Sequence, residues 1–310
     1  MAALQGVEAF HMLSFKRGRA GLARFLRSGL PDQPEMTPSS PPITTEPTFV
    51  DSDGYVTVLR HRTEFPSTPG GHRILSLVVE SRALYSKHLE RVAILADWIR
   101  SIPDHTRDNK TPCWENDFIP GFDGISFGLM LLDARPSAVL EIGSGSSTKF
   151  FRSAIEYLGL HTRIISIDPS PRAEIEALCD TSIRKGLEES VKEVLEILPS
   201  RPLIFFDGSH RALPNSDVVS FFLEILPAIP SGCIYGIHDI VLPCDYPPIF
   251  AERLYSEQYV LAAYLLGGAD GDAIELPTCY LTKTGEFKSV LPDGVELLYP
   301  NGASFWLRKA

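Results

Sequence analysis

Residues 139–148 read VLEIGSGSST, an apolar strand that runs straight into a glycine–serine turn and then a helix start. Further on, residues 164–168 (IISID) form a second strand that ends in an acid. Gly143 and Gly145 let the backbone approach a ligand, with Ser144 between them. Asp168, followed by Pro169, stands where it can take both hydroxyls of a ribose. Together they predict a nucleoside-type cofactor at the carboxyl edge of a parallel sheet.

Working outward, short and almost wholly apolar strands are expected near 138–142, 163–167, 181–184, 203–206 and 233–237. Helices are expected near 147–157, 171–178, 187–197, 214–226 and 248–265. A buried strand followed each time by a helix is the pattern of a parallel sheet covered on both faces. The rhythm breaks at the end, where strand-like pieces near 274–282 and 303–308 flank Gly285 and Asp293-Gly294 and predict an antiparallel pair closing the sheet edge. The fold expected is therefore α/β: a Rossmann-like, doubly wound, mostly parallel seven-stranded sheet with a C-terminal antiparallel hairpin and helices on both faces.

Before the first strand, apolar residues from Ile74 to Ile99 recur at helical spacing and predict one long amphipathic helix. Residues 102–124 read as irregular, with GFDG at 121–124 as a turn, and a short helix follows around Ser126 to Leu132. Trp114 and Phe122 are candidates to cover the cofactor. Residues 31–48 carry six prolines among Ser and Thr and read as a linker without a core. The expected division is a basic, then Pro/Ser/Thr-rich extension over 1–71 and a catalytic-type domain over 72–310, whose segment 72–135 is helical.

A chain of 310 residues with 44% hydrophobic and 22% charged residues has the composition of a soluble globular protein. Its net charge of −10 argues against a general nucleic-acid binder, which needs basic surface to displace counterions. No apolar run is long enough to span a membrane. Cys113, Cys179, Cys233, Cys244 and Cys279 form no CxxC pair and no disulfide pattern, which suits a reducing, cytoplasmic setting. Residues 1–30 hold Lys16, Arg17, Arg19, Arg24 and Arg27 against Glu8. That start is similar to an organelle transit peptide; a plain surface extension is the simpler reading.

Open parallel sheets bind ligands at the carboxyl ends of their strands. Here those ends carry Glu141 before the glycine turn, Asp168-Pro169, Asp207-Gly208-Ser209-His210 and His238-Asp239. Four of the five strands deliver polar groups to one rim. The arrangement resembles the class I S-adenosylmethionine-dependent methyltransferases, over roughly residues 120–310. It is most similar to the O-methyltransferase branch with DGSH after strand four and HD after strand five. The run IVLPCDYPP and the downstream EQY (240–248 and 257–259) also resemble that branch, without an assignable chemical role.

The resemblance implies that Glu141 approaches the amino end of the methionine moiety, that Gly143, Ser144 and Gly145 form the turn against the cofactor, and that Asp168 takes the ribose. The segment Arg184 to Leu187 would lie near the adenine. Ser147 stands where the family often has a third glycine. A nicotinamide dinucleotide site, the main rival, wants G-x-G-x-x-G, and the third position is Thr148. A P-loop is excluded, because no Gly-Lys-Ser/Thr follows.

Methyl transfer to an alcohol requires the hydroxyl to lose its proton, which makes His210 and His238 candidates for general base, with Asp207 orienting the acceptor. Alternatively Asp207, His238 and Asp239 would hold a divalent cation such as magnesium, as acids at these strand ends do in the macrocin-type and catechol-type enzymes that the region resembles. His238 in place of an acid also suits a softer ion. Two plainer readings stand beside these: Asp207-Gly208 as a simple turn, and His238 as a buried, satisfied histidine. The expectation is an S-adenosylmethionine-dependent transfer to a small-molecule hydroxyl on a sugar or natural product. An NAD-dependent oxidoreductase and a non-catalytic interaction domain are the alternatives. Oligomeric state is not legible.

Overall fold

Strand β1, Ala138–Ile142, is buried along its whole length and lies between two parallel neighbours, β2 (Arg163–Ile167) and β4 (Pro202–Phe206). Beyond β2 lies β3 (Thr181–Ile183), and beyond β4 lies β5 (Ile234–Ile237), both parallel. The final strand in the chain, β7 (Phe305–Arg308), pairs antiparallel with β5 and then with β6 (Ala273–Pro277). The order across the seven-stranded sheet is 3-2-1-4-5-7-6. The computed structural model describes residues 48–50, 56–58, 65–171, 174–297 and 299–310.

That order reverses direction of travel at β1, so the crevice for a ligand falls between the ends of β1 and β4. The ladder runs one residue past each strand: Gly143 N donates to Ile167 O, Asp168 N to Ile183 O, Asp207 N to Ile142 O and His238 N to Phe206 O. Four polar strand ends are thereby held at one level by main-chain hydrogen bonds. At Gly236 the antiparallel β7 lies so close that an added Cβ would meet the Trp306 ring at 2.5 Å.

The apolar stripe from Ile74 to Ile99 is buried as expected, but it rides on several short helices, not one. Helix α1 (Pro69–Glu80) stops at Ser81, whose hydroxyl donates to Leu77 O at 2.9 Å and competes with the helical ladder. Helix α2 (Arg82–Glu90), a 3₁₀ stretch Arg91–Leu95 and α3 (Ala96–Ser101) follow. Two short strands, Thr48–Val50 and Val56–Val58, pair antiparallel within the stretch read as an extension. Residues 1–47, with the basic start and nearly all of the proline-rich run, lie outside the described residues.

GFDG is not a turn. It opens helix α4 (Gly121–Ala134), because Gly121 N and Phe122 N donate to the carbonyls of Tyr299 and Asn301 from the far end of the chain. These satisfy helix-start donors that nothing local could satisfy. Phe122 is stacked on Phe287 with ring centroids 3.6 Å apart, and Trp114 packs on Phe150; both are buried in the body of the protein. Helix α5 (Ser146–Tyr157) follows the glycine turn directly.

Three further expectations change. In place of a helix over 171–178, the described residues hold only the 3₁₀ turn Glu176–Leu178, whose last carbonyl is taken by Arg152. The strand expected over 274–282 ends at Pro277, which cannot donate to a ladder. Helix α10 (Thr278–Lys283) begins there. The helix expected over 248–265 is split into α8 (Pro248–Glu252) and α9 (Glu257–Leu266). Between them Leu254 sits at φ +61°, and Ser256 N donates to His210 O at 2.8 Å. Helix α6 (Leu187–Ile197) forms as read, and the 214–226 region starts with α7 (Asp217–Ser220) and continues as a wider π turn over Phe221–Ile225. No helix among the described residues is long and apolar enough to cross a membrane. All five cysteines are free, three of them buried.

Candidate active site

Gly143 adopts φ +79°, and a Cβ there would fall 1.8 Å from Asp207 O, so only glycine lets the two strand ends meet across the crevice. Ser144 N donates to Asp168 Oδ2 at 2.8 Å, and Ser144 Oγ lies 2.8 Å from Ser166 Oγ. Asp168 Oδ1 accepts from Ser170 N at 2.7 Å. The carboxylate is thus clamped by one amide on each oxygen, which leaves further lone pairs for ligand hydroxyls. Nothing stands within 4 Å of the side-chain position of Gly145.

Glu141 lies below this turn and is fully buried. Its Oε2 accepts from Thr148 Oγ1 at 2.6 Å, Thr148 Oγ1 in turn accepts from Gly145 N at 3.1 Å, and its Oε1 has no partner. Thr148, at the position where a dinucleotide fingerprint would need glycine, is therefore the link between the strand acid and the turn. Burial pushes the Glu141 carboxyl up to about 8 against the hydrogen bonds that pull it down. A cation or donor reaching Oε1 would supply what the site lacks.

A cleft of about 450 Å³ opens at this rim. Gly143, Ser144, Asp168 and Pro169 line one side, Gly186 and Leu187 the end beyond β3, and Asp207 through Ser209 the other side. Its size suits a small organic ligand. The crevice free of side chains at Gly145 and the clamped Asp168 fit an adenosyl group, and the acid Glu141 stands buried behind the turn.

Across the switch point the character changes. His210 Nδ1 is hydrogen-bonded to Glu257 Oε1 at 2.9 Å, and its Nε2 lies 3.4 Å from both Asp207 Oδ1 and Asp239 Oδ2. His238 Nδ1 is hydrogen-bonded to Asp207 Oδ1 at 3.2 Å and lies 3.8 Å from Asp239 Oδ1. Its Nε2 is 3.3 Å from Asp123 Oδ2, though not aligned for a hydrogen bond. The imidazoles are buried, whereas the side chains of Asp207 and Asp239 are 24% and 16% exposed, so the carboxylates are the faces this ring offers to a ligand. Both His210 and Asp239 sit at positive φ, +61° and +52°, strained backbone that the surroundings must hold.

Burial opposes charge on His210, but Glu257, Asp239 and Asp207 outweigh it and push the imidazole up to about 9. His238 is likewise buried, yet Asp207 and Asp239 hold it well above the ordinary histidine range. Glu257, driven up by burial and drawn back by His210, sits at about 7.

The structure brings together Asp207, His210, His238 and Asp239, and it places Glu141, Gly143, Ser144, Gly145, Asp168 and Pro169 around the adjoining turn. Sequence reasoning missed Asp123 and Glu257. Asp123, the acid inside GFDG, is fully buried and accepts from Thr278 Oγ1, Ala303 N and Ser304 N. Glu257 opens the EQY run, which now has a role throughout. Gln258 accepts from Val241 N and donates to Cys244 O, and Tyr259 OH donates to Asp245.

The metal reading does not fit these residues as arranged. Each nitrogen that would face an ion is turned toward a carboxylate, and among the described residues no three His, Cys, Asp or Glu side chains form a set able to hold one. Magnesium prefers near-ideal octahedral oxygen ligands.

A parallel sheet with a reversed seventh strand between the fifth and sixth, a glycine turn at its switch point and an acid on the next strand define the class I, S-adenosylmethionine-dependent methyltransferase type. Residues 140–240 match the family model for a methyltransferase domain, and the chain holds such a domain. No curated protein matches the sequence. Among solved structures, the chain is similar to CmcI with magnesium and S-adenosylmethionine, at 15% identity and a TM-score of 0.34 over 59% of this chain and 69% of that one. It is also similar to MycE, a methyltransferase from the mycinamycin biosynthetic pathway in complex with magnesium, S-adenosylhomocysteine and mycinamycin VI. That match has 19% identity and a TM-score of 0.33 over 60% of this chain and 48% of MycE. The Podospora anserina methyltransferase PaMTH1, bound to S-adenosylhomocysteine, matches at 14% identity and a TM-score of 0.33 over 71% of this chain and 87% of that one. Overlaps this distant carry no argument about acceptor or metal.

Proposed function

We propose that residues 72–310 transfer a methyl group from S-adenosylmethionine to a hydroxyl of a small molecule, with a sugar or natural product as the acceptor class. The observation that carries this is the position of Asp207, which lines the cofactor cleft and is also a member of the imidazole–carboxylate ring. A methyl donor in the cleft and an acceptor at the ring would meet at that residue.

Bound S-adenosylmethionine supplies an electrophilic methyl carbon on a sulfonium. Asp168 would hold the ribose hydroxyls, Gly186 and Leu187 would border the adenine, and Glu141, buried behind the turn, would supply negative charge toward the ammonium of the methionine end. On the other side, Asp207 lines the approach and orients the acceptor, whose hydroxyl directs its single proton at His210. His210 takes the proton as the oxygen attacks. His238 has a carboxylate at each nitrogen and acts as a brace for Asp207. Proton removal of this kind contributes typically 10²–10⁴-fold to a rate. This route calls on no divalent ion: in this arrangement the imidazole nitrogens of His210 and His238 each face a carboxylate.

The test is calorimetry on the full chain with S-adenosylmethionine, S-adenosylhomocysteine and NADH, followed by a screen of sugars and phenols for release of S-adenosylhomocysteine. Binding of the first two and not the third is expected. Binding of NADH alone would favour the oxidoreductase reading, and binding of none the interaction domain.

A further inference from the structure

Glu257 lies 47 residues beyond His210 in sequence, yet it is fully buried at the start of α9 with one oxygen on His210 Nδ1. Its other oxygen, Oε2, is buried without a partner. The contact does not stand alone. Ser256 N and Glu257 N both donate to His210 O, Ala212 N donates to Ser256 Oγ, and Arg211 Nε donates to Arg253 O. The loop after β4 is thus zipped along residues 210–212 to the segment leading into α9. The next residue, Gln258, fixes the loop after β5 through Val241 and Cys244. One helix start therefore sets the position of both loops that carry the ring.

The imidazole of His210 stands between competing acceptors. Glu257 lies 2.9 Å from Nδ1, and Asp207 and Asp239 lie 3.4 Å from Nε2. In a neutral imidazole one nitrogen carries the proton and the other accepts. The partner with the shorter, aligned hydrogen bond decides which. We infer that Glu257 is the positioning residue of the acceptor site, holding the proton of His210 on Nδ1 so that Nε2 is the atom that receives the acceptor's proton. This rests on the reading of His210 as the base. The logic is that of a catalytic triad, with the base oriented by a buried acid on its far nitrogen.

The decisive measurement is the tautomer of His210 in the full chain saturated with S-adenosylhomocysteine, by long-range proton–nitrogen NMR above the titration of the ring. Wild type is expected to carry the proton on Nδ1. In Glu257→Gln, which keeps the shape and loses the charge, the two carboxylates win and the proton moves to Nε2. Methyl transfer to an acceptor found by screening should fall at least ~10²-fold in kcat, while S-adenosylhomocysteine affinity stays within about twofold. A proton that remains on Nδ1 in Glu257→Gln would overturn the inference. If that variant does not fold, Glu257→Asp, with a shorter reach, is expected to weaken the Nδ1 proton signal, and an unchanged signal overturns the inference equally. His210→Ala with undiminished kcat would instead remove the base assignment, leaving the tautomer result to stand on its own.

Discussion

The two halves of the rim are made of different material. On the β1–β2 side, ligand-facing groups are largely main chain: a glycine at positive φ, an amide on each oxygen of Asp168, an open position at Gly145. On the β4–β5 side they are side chains, and their neighbours come from α4 and α9, far away in sequence. The first half therefore recognises something constant, because backbone shape leaves little to vary. The second can be retuned residue by residue while the sheet stays the same. A constant cofactor and a variable acceptor are what this contrast suits.

The contrast can be broken most severely at Gly143. Gly143→Val places a branched side chain against Asp207 O at a backbone angle that side chains disfavour, and a loss of at least about 3 kcal/mol in unfolding free energy is expected. Thermal denaturation measures it, and a variant as stable as wild type would mean the crevice is not as drawn. Next, His210→Ala should lower kcat by ~10²–10⁴-fold and leave S-adenosylhomocysteine affinity nearly untouched. Asp168→Ala should do the reverse, weakening that affinity by ~10–100-fold through lost charge-assisted hydrogen bonds. Calorimetry and initial rates on the same two proteins would show whether the halves separate.

Acidity sharpens the distinction further. His210 is raised to about 9, so near neutrality most of it is protonated and unable to take a proton. The value of kcat/KM should therefore climb about tenfold per pH unit up to that point. Glu141 is raised to about 8 and must ionise to meet an ammonium, so cofactor affinity should also rise with pH but level off earlier. Two profiles that coincide would tie both effects to one group. The smallest expected effect is that of EDTA, which should leave the rate within experimental scatter; a collapse restored by magnesium would reopen the metal reading.

The legible half is the local one. Apolar strands with polar ends and a glycine turn followed by Asp168 are written in consecutive residues, and the sheet, its reversed last pair and the cofactor turn follow from them. The acceptor half was legible only as far as DGSH and HD. Asp123 looked like part of a turn because the groups that make it a helix start and a brace, Tyr299, Asn301, Thr278 and Ser304, arrive more than 150 residues later. Glu257 was visible only as the first letter of EQY. The long helix over 248–265 was periodic enough to hide its break, since what interrupts it is a contact with His210 and not a Gly or Pro.

Strand β7 has a further consequence for how the protein is made. It lies between β5 and β6, and the amides of Ala303 and Ser304 just before it close on Asp123, the acid that faces His238. During synthesis the half of the rim that binds the donor can settle early, with the first strands. The half that handles the acceptor must wait for residue 308 to leave the ribosome. Until then Asp123 lacks the amides of Ala303 and Ser304, and the brace behind His238 is incomplete.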